Sequence, residues 1–289
     1  MKPARSLSLL LALGVLTATR GLAAPAPQGV ESRVLMNTEW AVGWQAVEST
    51  LTPAPGGRLF RVPVDWKTGE VNYPIGWPRL EYTVPEGEGD WRRWEEVRVR
   101  LLPRSSAGSF PFRPLGMTLR SGERGGWEKE VPVLRAGEWQ EVSFDLRDLA
   151  FPDRVRGMGL FISEDMYADG TVLEFLIARV ELARHLAPVL LEMQPVSGLG
   201  FAGTKSLAIR VKLAGVAPGR SAPVALTLAR GAKTVAARRS MGAAGEQQLF
   251  LPLPARLPPG DYRVSATVGT STRSATLRLL ASPWQERQP

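Results

Sequence analysis

Apolar and polar residues alternate in short runs along this chain, and the runs are separated by glycine and proline. Val97, Val99 and Leu101 alternate with charged residues. So do Val142, Phe144 and Leu146. A period of two places apolar side chains on one face and charge on the other, which suits a sheet buried on one side. Beyond residue 24 no sustained helical i, i+3, i+4, i+7 pattern with caps is found. The 29 glycines and 24 prolines supply many turns and leave little room for long helices.

The alternation predicts eight strands in a first module: Arg58–Val64, Arg79–Val84, Glu96–Leu102, Leu115–Arg120, Glu128–Leu134, Glu138–Leu146, Val155–Ile162 and Thr171–Leu182. Turns are marked by residues 121–126, by Ala136-Gly137 and by Ala168-Asp169-Gly170. Such a run of antiparallel strands predicts a jelly-roll sandwich over residues 25–185. The boundary falls within Ala183–Pro188. A second set follows at Val189–Met193, Ser206–Leu213, Val224–Ala229, Thr234–Met241, Gln247–Leu251, Tyr262–Val268 and Arg273–Leu279. Seven short strands predict a smaller immunoglobulin-like β-sandwich over residues 186–282. Residues 283–289 read as a polar, flexible tail.

The stretch Gly137-Glu138-Trp139-Gln140-Glu141-Val142-Ser143-Phe144-Asp145-Leu146 carries a resemblance. So do Val155-Arg156-Gly157-Met158-Gly159-Leu160-Phe161-Ile162 and Leu176-Ile177-Ala178-Arg179-Val180-Glu181-Leu182. Together they resemble the second half of the galactose-binding-like jelly rolls found among carbohydrate-binding modules. The resemblance spans roughly residues 30–183 and implies a sandwich fold with a structural tryptophan at Trp139. It also implies an aspartate that holds a structural calcium, but this chain has Ala178 there, so no metal is expected. The second module is similar to immunoglobulin-like or fibronectin-type domains, with Gly260-Asp261-Tyr262-Arg263-Val264 as the best match. A fold of this kind does not by itself name a ligand.

The first 24 residues look like an export signal. Lys2 and Arg5 precede the apolar run Leu7–Leu16, and Gly21-Leu22-Ala23 offers small residues for cleavage. That run is too short for a spanning helix, and no later stretch comes closer. The expected location is therefore secreted, periplasmic or cell-envelope in a bacterium. The chain has no cysteine, which excludes a disulfide framework and a lipidated cysteine.

Charge divides the chain. Residues 25–185 hold 20 Lys and Arg against 24 Asp and Glu, a net −4. Residues 186–289 hold 13 against 4, a net +9. A basic module of this kind suits an anionic envelope surface, or is an ordinary solvated face, which is the preferred reading. Aromatic residues are concentrated in the acidic module and basic residues in the other, so the pairing of stacking with phosphate contact needed for nucleic acid is split.

Eight of the nine tryptophans lie between Trp40 and Trp139. Trp94 and Trp139 flank strong alternating runs and are expected in the core. Residues 63–79 differ, because glycine and proline break the segment while it carries Trp66, Tyr73 and Trp77. Aromatics on a loop that cannot bury them form a ligand platform, unless the loop folds back on its own rings. Asp65 and Arg79 stand beside them to hydrogen-bond hydroxyl groups. Trp127 follows the glycine-rich turn and is either a loop-tip aromatic or an inward strand residue. Glu164, Asp165 and Asp169 form an acidic hairpin whose spacing lacks the pattern of a calcium loop.

Catalysis finds little support in the residue inventory. His185 is the only histidine and sits at the module boundary, so no multi-histidine metal site and no cysteine–histidine pair exists. No Gly-x-Ser-x-Gly turn is present. The adjacent pairs Glu95/Glu96 and Glu164/Asp165 would point to opposite faces of a strand rather than across a sugar. The chain is therefore expected to be a non-catalytic, polysaccharide-binding exported protein without cofactor. Its alternative is a cell-envelope structural or protein-interaction protein whose jelly roll does not bind sugar, and a third reading is a polysaccharide-modifying enzyme.

Overall fold

The computed structural model describes residues 29–67 and 76–281. The export signal at residues 1–24, Tyr73 and the tail at residues 283–289 lie outside the described residues.

The strands before the boundary are β1 (Val30–Met36), β2 (Trp44–Val47), β3 (Thr50–Ala54), β4 (Gly57–Pro63), β5 (Arg79–Thr83) and β6 (Glu96–Ser105). They continue with β7 (Leu115–Ser121), β8 (Gly125–Val131), β9 (Gln140–Asp145), β10 (Val155–Phe161) and β11 (Val172–His185). One sheet has the order β3-β4-β11-β6-β9, and a second has the order β2-β5-β10-β7-β8. The long strand β11 serves two partners on one side. Its first half pairs with β4 and its last residues, Val180–His185, pair with β1. The change of partner coincides with a bulge between Ile177 and Arg179, which places Ala178 at the irregularity.

Apolar residues of both sheets share one core, with Val97, Val99, Leu101, Phe60, Phe175, Leu80 and Met158 among its buried members. The alternation in β6 and β9 thus faces inward as the sequence predicts. Strands β1 to β3 were not anticipated, because they are short or irregular and Pro53 interrupts the alternation in β3.

Trp139 corrects an expectation. Strand β9 begins one residue later, at Gln140, and Trp139 is 44% exposed. The pleat explains the outcome: Phe144 points inward, so Trp139 shares its parity with the outward Glu141, Ser143 and Asp145. Its ring lies 5.6 Å from the Arg100 guanidinium. Trp94 is buried as expected, and Trp91, which the strand pattern did not single out, is among the largest fully buried side chains.

Eight strands follow: β12 (Val189–Pro195), β13 (Leu199–Phe201), β14 (Ser206–Ala214), β15 (Ala222–Arg230), β16 (Lys233–Gly242), β17 (Gly245–Pro252), β18 (Gly260–Val268) and β19 (Ser271–Leu280). They form sheets in the orders β12-β14-β17 and β13-β19-β18-β15-β16. The short strand β13 pairs parallel with β19 and was not anticipated. A second core contains Ile209, Val211, Leu213, Val224, Leu226, Tyr262 and Val264. The Tyr262 hydroxyl donates back to the carbonyl of Pro258 at 2.6 Å, which pins the turn that precedes β18. The chain is thus all-β, built of mainly antiparallel sheets in sandwich-like arrangements around two cores.

One carboxylate spans the junction. Glu95 accepts the Gly215 N–H at 2.8 Å through Oε1. Its Oε2 accepts the His185 N–H at 3.0 Å and lies 3.1 Å from Nδ1 of that ring. Arg147 adds a bond of 3.0 Å to the Leu213 carbonyl. His185 is therefore held between Glu95 and the Arg98 guanidinium, 3.1 Å from its Nε2, as part of the junction.

Candidate functional site

The outward face of the β2-β5-β10-β7-β8 sheet is set by register. Arg79, Glu81 and Thr83 of β5 stand opposite Phe161, Gly159 and Gly157 of β10. Those three stand in turn opposite Gly116, Thr118 and Arg120 of β7. The central strand therefore presents hydrogen atoms at Gly157 and Gly159, which the side chains of Arg120, Thr118 and Glu81 cover, and the same face carries a shallow trough of about 530 Å³. Its lining includes Trp77, Arg79, Glu81, Arg120, Arg124 and Phe161.

The glycines are sterically required. A Cβ on Gly116 would lie 2.1 Å from the Phe161 ring, and one on Gly157 would lie 2.8 Å from the Tyr82 carbonyl oxygen. The Phe161 ring thus lies against the sheet and is itself buried, although it projects on the outward side. Trp77 covers it, with ring centroids 5.5 Å apart in an edge-to-face arrangement. The Trp77 indole is 49% exposed and forms an aromatic wall at one end of the trough.

The backbone of that wall is held from below. The Trp77 N–H donates to Glu48 at 2.7 Å, and the Arg79 carbonyl accepts from the Ser49 hydroxyl at 3.2 Å. Arg79 directs its Nε to Glu81 at 3.0 Å and its Nη1 to the Trp77 carbonyl at 3.2 Å. Arg120 leans over Gly157 and lies 3.7 Å from the same Glu81 oxygen. Glu81 therefore orients two guanidiniums along the trough floor.

Glu164 ties together the two ends of the segment that leads to Trp77. It is buried, with Oε1 accepting the Asp65 N–H at 3.3 Å and Oε2 accepting the Gly76 N–H at 3.0 Å. Its backbone carbonyl accepts the Trp66 indole N–H at 3.4 Å. Burial pushes the Glu164 carboxyl above its usual range, and the two N–H bonds oppose that effect. Asp169 accepts the Trp66 N–H at 3.1 Å. The acidic hairpin is thus a brace for the aromatic segment, and among the described residues no acidic or histidine group has the arrangement of a metal site.

The sequence-derived site residues separate into two places. Trp77, Arg79 and Trp127 line the trough. Trp127 does so from the inward side, because it stands opposite Leu119 and stacks on Phe144 at 6.4 Å. Trp66 is 42% exposed but lies at the Glu164 brace, with Asp65, outside the trough lining. Asp65 accepts the Lys67 N–H at 3.0 Å, which closes a local turn. Tyr73 lies outside the described residues. Sequence reasoning missed Phe161, Glu81 and Arg120. The alternation Gly157-x-Gly159-x-Phe161 contained the available signal, since period two puts all three on one face.

No family model and no curated protein matches the chain. Similar solved structures include a glycosyl hydrolase family 2 member from Bacteroides cellulosilyticus, 10% identical over 86% of this chain and 35% of that one, with a TM-score of 0.29. A beta-1,2-glucanase from Parabacteroides distasonis is 14% identical over 86% of this chain and 38% of its own, with a TM-score of 0.32. CtCBM11, studied in solution, is 13% identical over 55% of this chain and 90% of its own, with a TM-score of 0.31. The chain thus spans little more than a third of the hydrolase and glucanase chains that it is similar to.

Proposed function

We propose that this chain is an exported, non-catalytic polysaccharide-binding protein, and that the trough of the β2-β5-β10-β7-β8 sheet holds the glycan. In this reading residues 25–185 are a galactose-binding-like jelly roll and residues 186–282 an immunoglobulin-like spacer. The observation that carries the reading is the half-exposed Trp77 indole standing over a trough lined by arginine and glutamate. A pyranose presents C–H groups to an indole face. Arg79, Arg120 and Glu81 offer hydrogen bonds to its hydroxyls.

The non-catalytic reading is supported by how two of the carboxylates, Glu81 and Glu164, are used. Glycoside hydrolysis needs two carboxyl groups free to face the scissile bond. Glu81 is engaged by Arg79 and approached by Arg120, and Glu164 is turned onto backbone N–H groups.

A glycan array probed with the full chain and with Trp77→Ala tests the proposal. Binding that the substitution abolishes is expected. Binding that is unchanged by it removes the trough from consideration. A protein-interaction role for the second module has one observation in its favour: Val196, Leu199 and Phe201 are each at least half exposed beside one another in sequence.

A further inference from the structure

We infer that the trough selects an anionic polysaccharide, one bearing uronic-acid carboxylates, and that Arg120 and Arg124 recognise the carboxylate. This rests on the polysaccharide-binding reading of the same trough. The module that carries it is acidic overall, with 24 Asp and Glu against 20 Lys and Arg in residues 25–185. The trough reverses that balance, since its lining has the guanidiniums of Arg79, Arg120 and Arg124 against the carboxylates of Glu81 and Glu128.

The three arginines are not equivalent. Arg79 is committed, because its Nε bonds Glu81 and its Nη1 bonds the Trp77 carbonyl. Arg120 has 58% of its side chain exposed and approaches Glu81 only to 3.7 Å. That separation is an attraction between charges rather than a hydrogen bond, so it orients the guanidinium without spending its donors. Arg124 is exposed in the turn before β8. A planar fork of N–H donors held over Gly157 matches a carboxylate in two-point geometry. Glu128 projects on the same face from β8, opposite Thr118 and one pair along the sheet from Arg120, so it repels an anion from the β8 edge of the trough. The uronate is thereby confined between Arg120, Arg124 and the indole wall, with the sugar ring against Trp77.

Affinity electrophoresis of the full chain through polygalacturonate, and through the same polymer fully methyl-esterified, tests this directly. Esterification removes the charge and keeps the sugar backbone. Retardation by the acid form, little by the ester, and release as salt rises are expected. Arg120→Gln and Arg124→Gln should each weaken retardation about tenfold, and Arg120→Lys should not restore it, because an ammonium lacks the fork. Thermal melts of the three variants verify that they fold.

Equal retardation by acid and ester overturns the inference. So does an acid-specific retardation that neither arginine substitution weakens, which would assign the anion to another surface such as the basic second module. Equal retention by sulfated dextran of matched charge density overturns the carboxylate assignment. Binding to neutral glycans alone sinks the inference and leaves the binding function standing. Retardation by no polysaccharide, charged or neutral, sinks both.

Discussion

Trp77 meets Phe161 edge to face, with centroids 5.5 Å apart and ring planes at 84°. The pair joins two different elements, since Trp77 ends the segment before β5 and Phe161 ends β10. One ring is buried and the other half exposed, so they divide the labour: Phe161 anchors and Trp77 presents. Replacing Trp77 with alanine should lower polysaccharide affinity by about 1–3 kcal/mol, the range for stacking on ring ligands. Its melting temperature should barely move. Phe161→Ala should lose both binding and stability. Calorimetric titration with a thermal melt of each variant separates the two roles. Unchanged affinity in Trp77→Ala would refute the indole wall.

Glu164 is predicted to matter for the site without touching the ligand. Glu164→Ala strips the acceptor from two backbone N–H groups, which costs about 1–3 kcal/mol for a buried group left unpaired. The sign with pH follows from its environment. Burial raises its pKa, the N–H bonds of Asp65 and Gly76 offset part of that, and the negative charges of Glu48 and Asp65 raise it further. The folded protein therefore holds this proton to higher pH than the unfolded chain does. Glu164 adds stability as pH falls from its raised folded pKa toward the ordinary glutamate range near about 4.3. Urea melts across that window should show a rise that is absent in Glu164→Ala.

Glu95 should behave in the opposite sense. Burial acts to raise its pKa, but the hydrogen bonds from the His185 side chain and backbone and from the Gly215 backbone outweigh it, and the net shift is downward. A depressed carboxylate contributes stability above its unfolded pKa and loses it as pH falls through the folded value. Glu95→Gln should therefore be less stable than the parent at neutral pH, and the gap should close in acid. Equal stability at neutral pH would mean that the junction does not depend on this carboxylate.

Much of the fold could be read from the alternating runs, because Val97/Val99/Leu101 and Tyr262/Val264/Ala266 face cores on period two. Strands β1, β2 and β3 escaped notice since pairing with neighbours, rather than their own pattern, makes them strands. The site was half legible. Trp77 and Arg79 stood out as an aromatic and a cation in a Gly/Pro-broken segment. The residues beside them were hidden, because Glu81, Thr118 and Arg120 come together only through β5-β10-β7 register. The acidic hairpin was visible, but its use as a brace depends on contacts to Asp65 and Gly76 far away in sequence.

Trp94 and Trp139 should now part company. Trp94 is 8% exposed, and its truncation to alanine should cost about 3–5 kcal/mol. Trp139 is outward, with Arg100 against its face, and its truncation should cost at most about 1 kcal/mol, the worth of an exposed cation–π contact. Parallel chemical denaturation of the two variants measures both. A large loss in Trp139→Ala would place that indole in a contact that its outward parity does not provide.

The second module carries a net charge of +9 over residues 186–289. Its described acids are already engaged: Glu246 lies 3.1 Å from Arg210, Glu192 lies 3.4 Å from Lys212 and Asp261 lies 3.9 Å from Arg278. Of the remaining cations, Arg239, Arg263 and Arg273 stand exposed on strands. They produce a positive field, and Arg238 and Arg239 border an open depression of about 540 Å³ beside the half-exposed Phe250, but exposed charge is screened within about 10 Å at 0.1 M salt. The chain carrying Arg120→Gln and Arg124→Gln, which removes the trough from the measurement, should therefore fail to sediment with anionic lipid vesicles at about 0.1 M salt. Sedimentation that disappears as ionic strength rises would instead make this module an electrostatic docking surface. Sedimentation that persists at high salt would contradict both, because only a specific pocket resists screening of that kind.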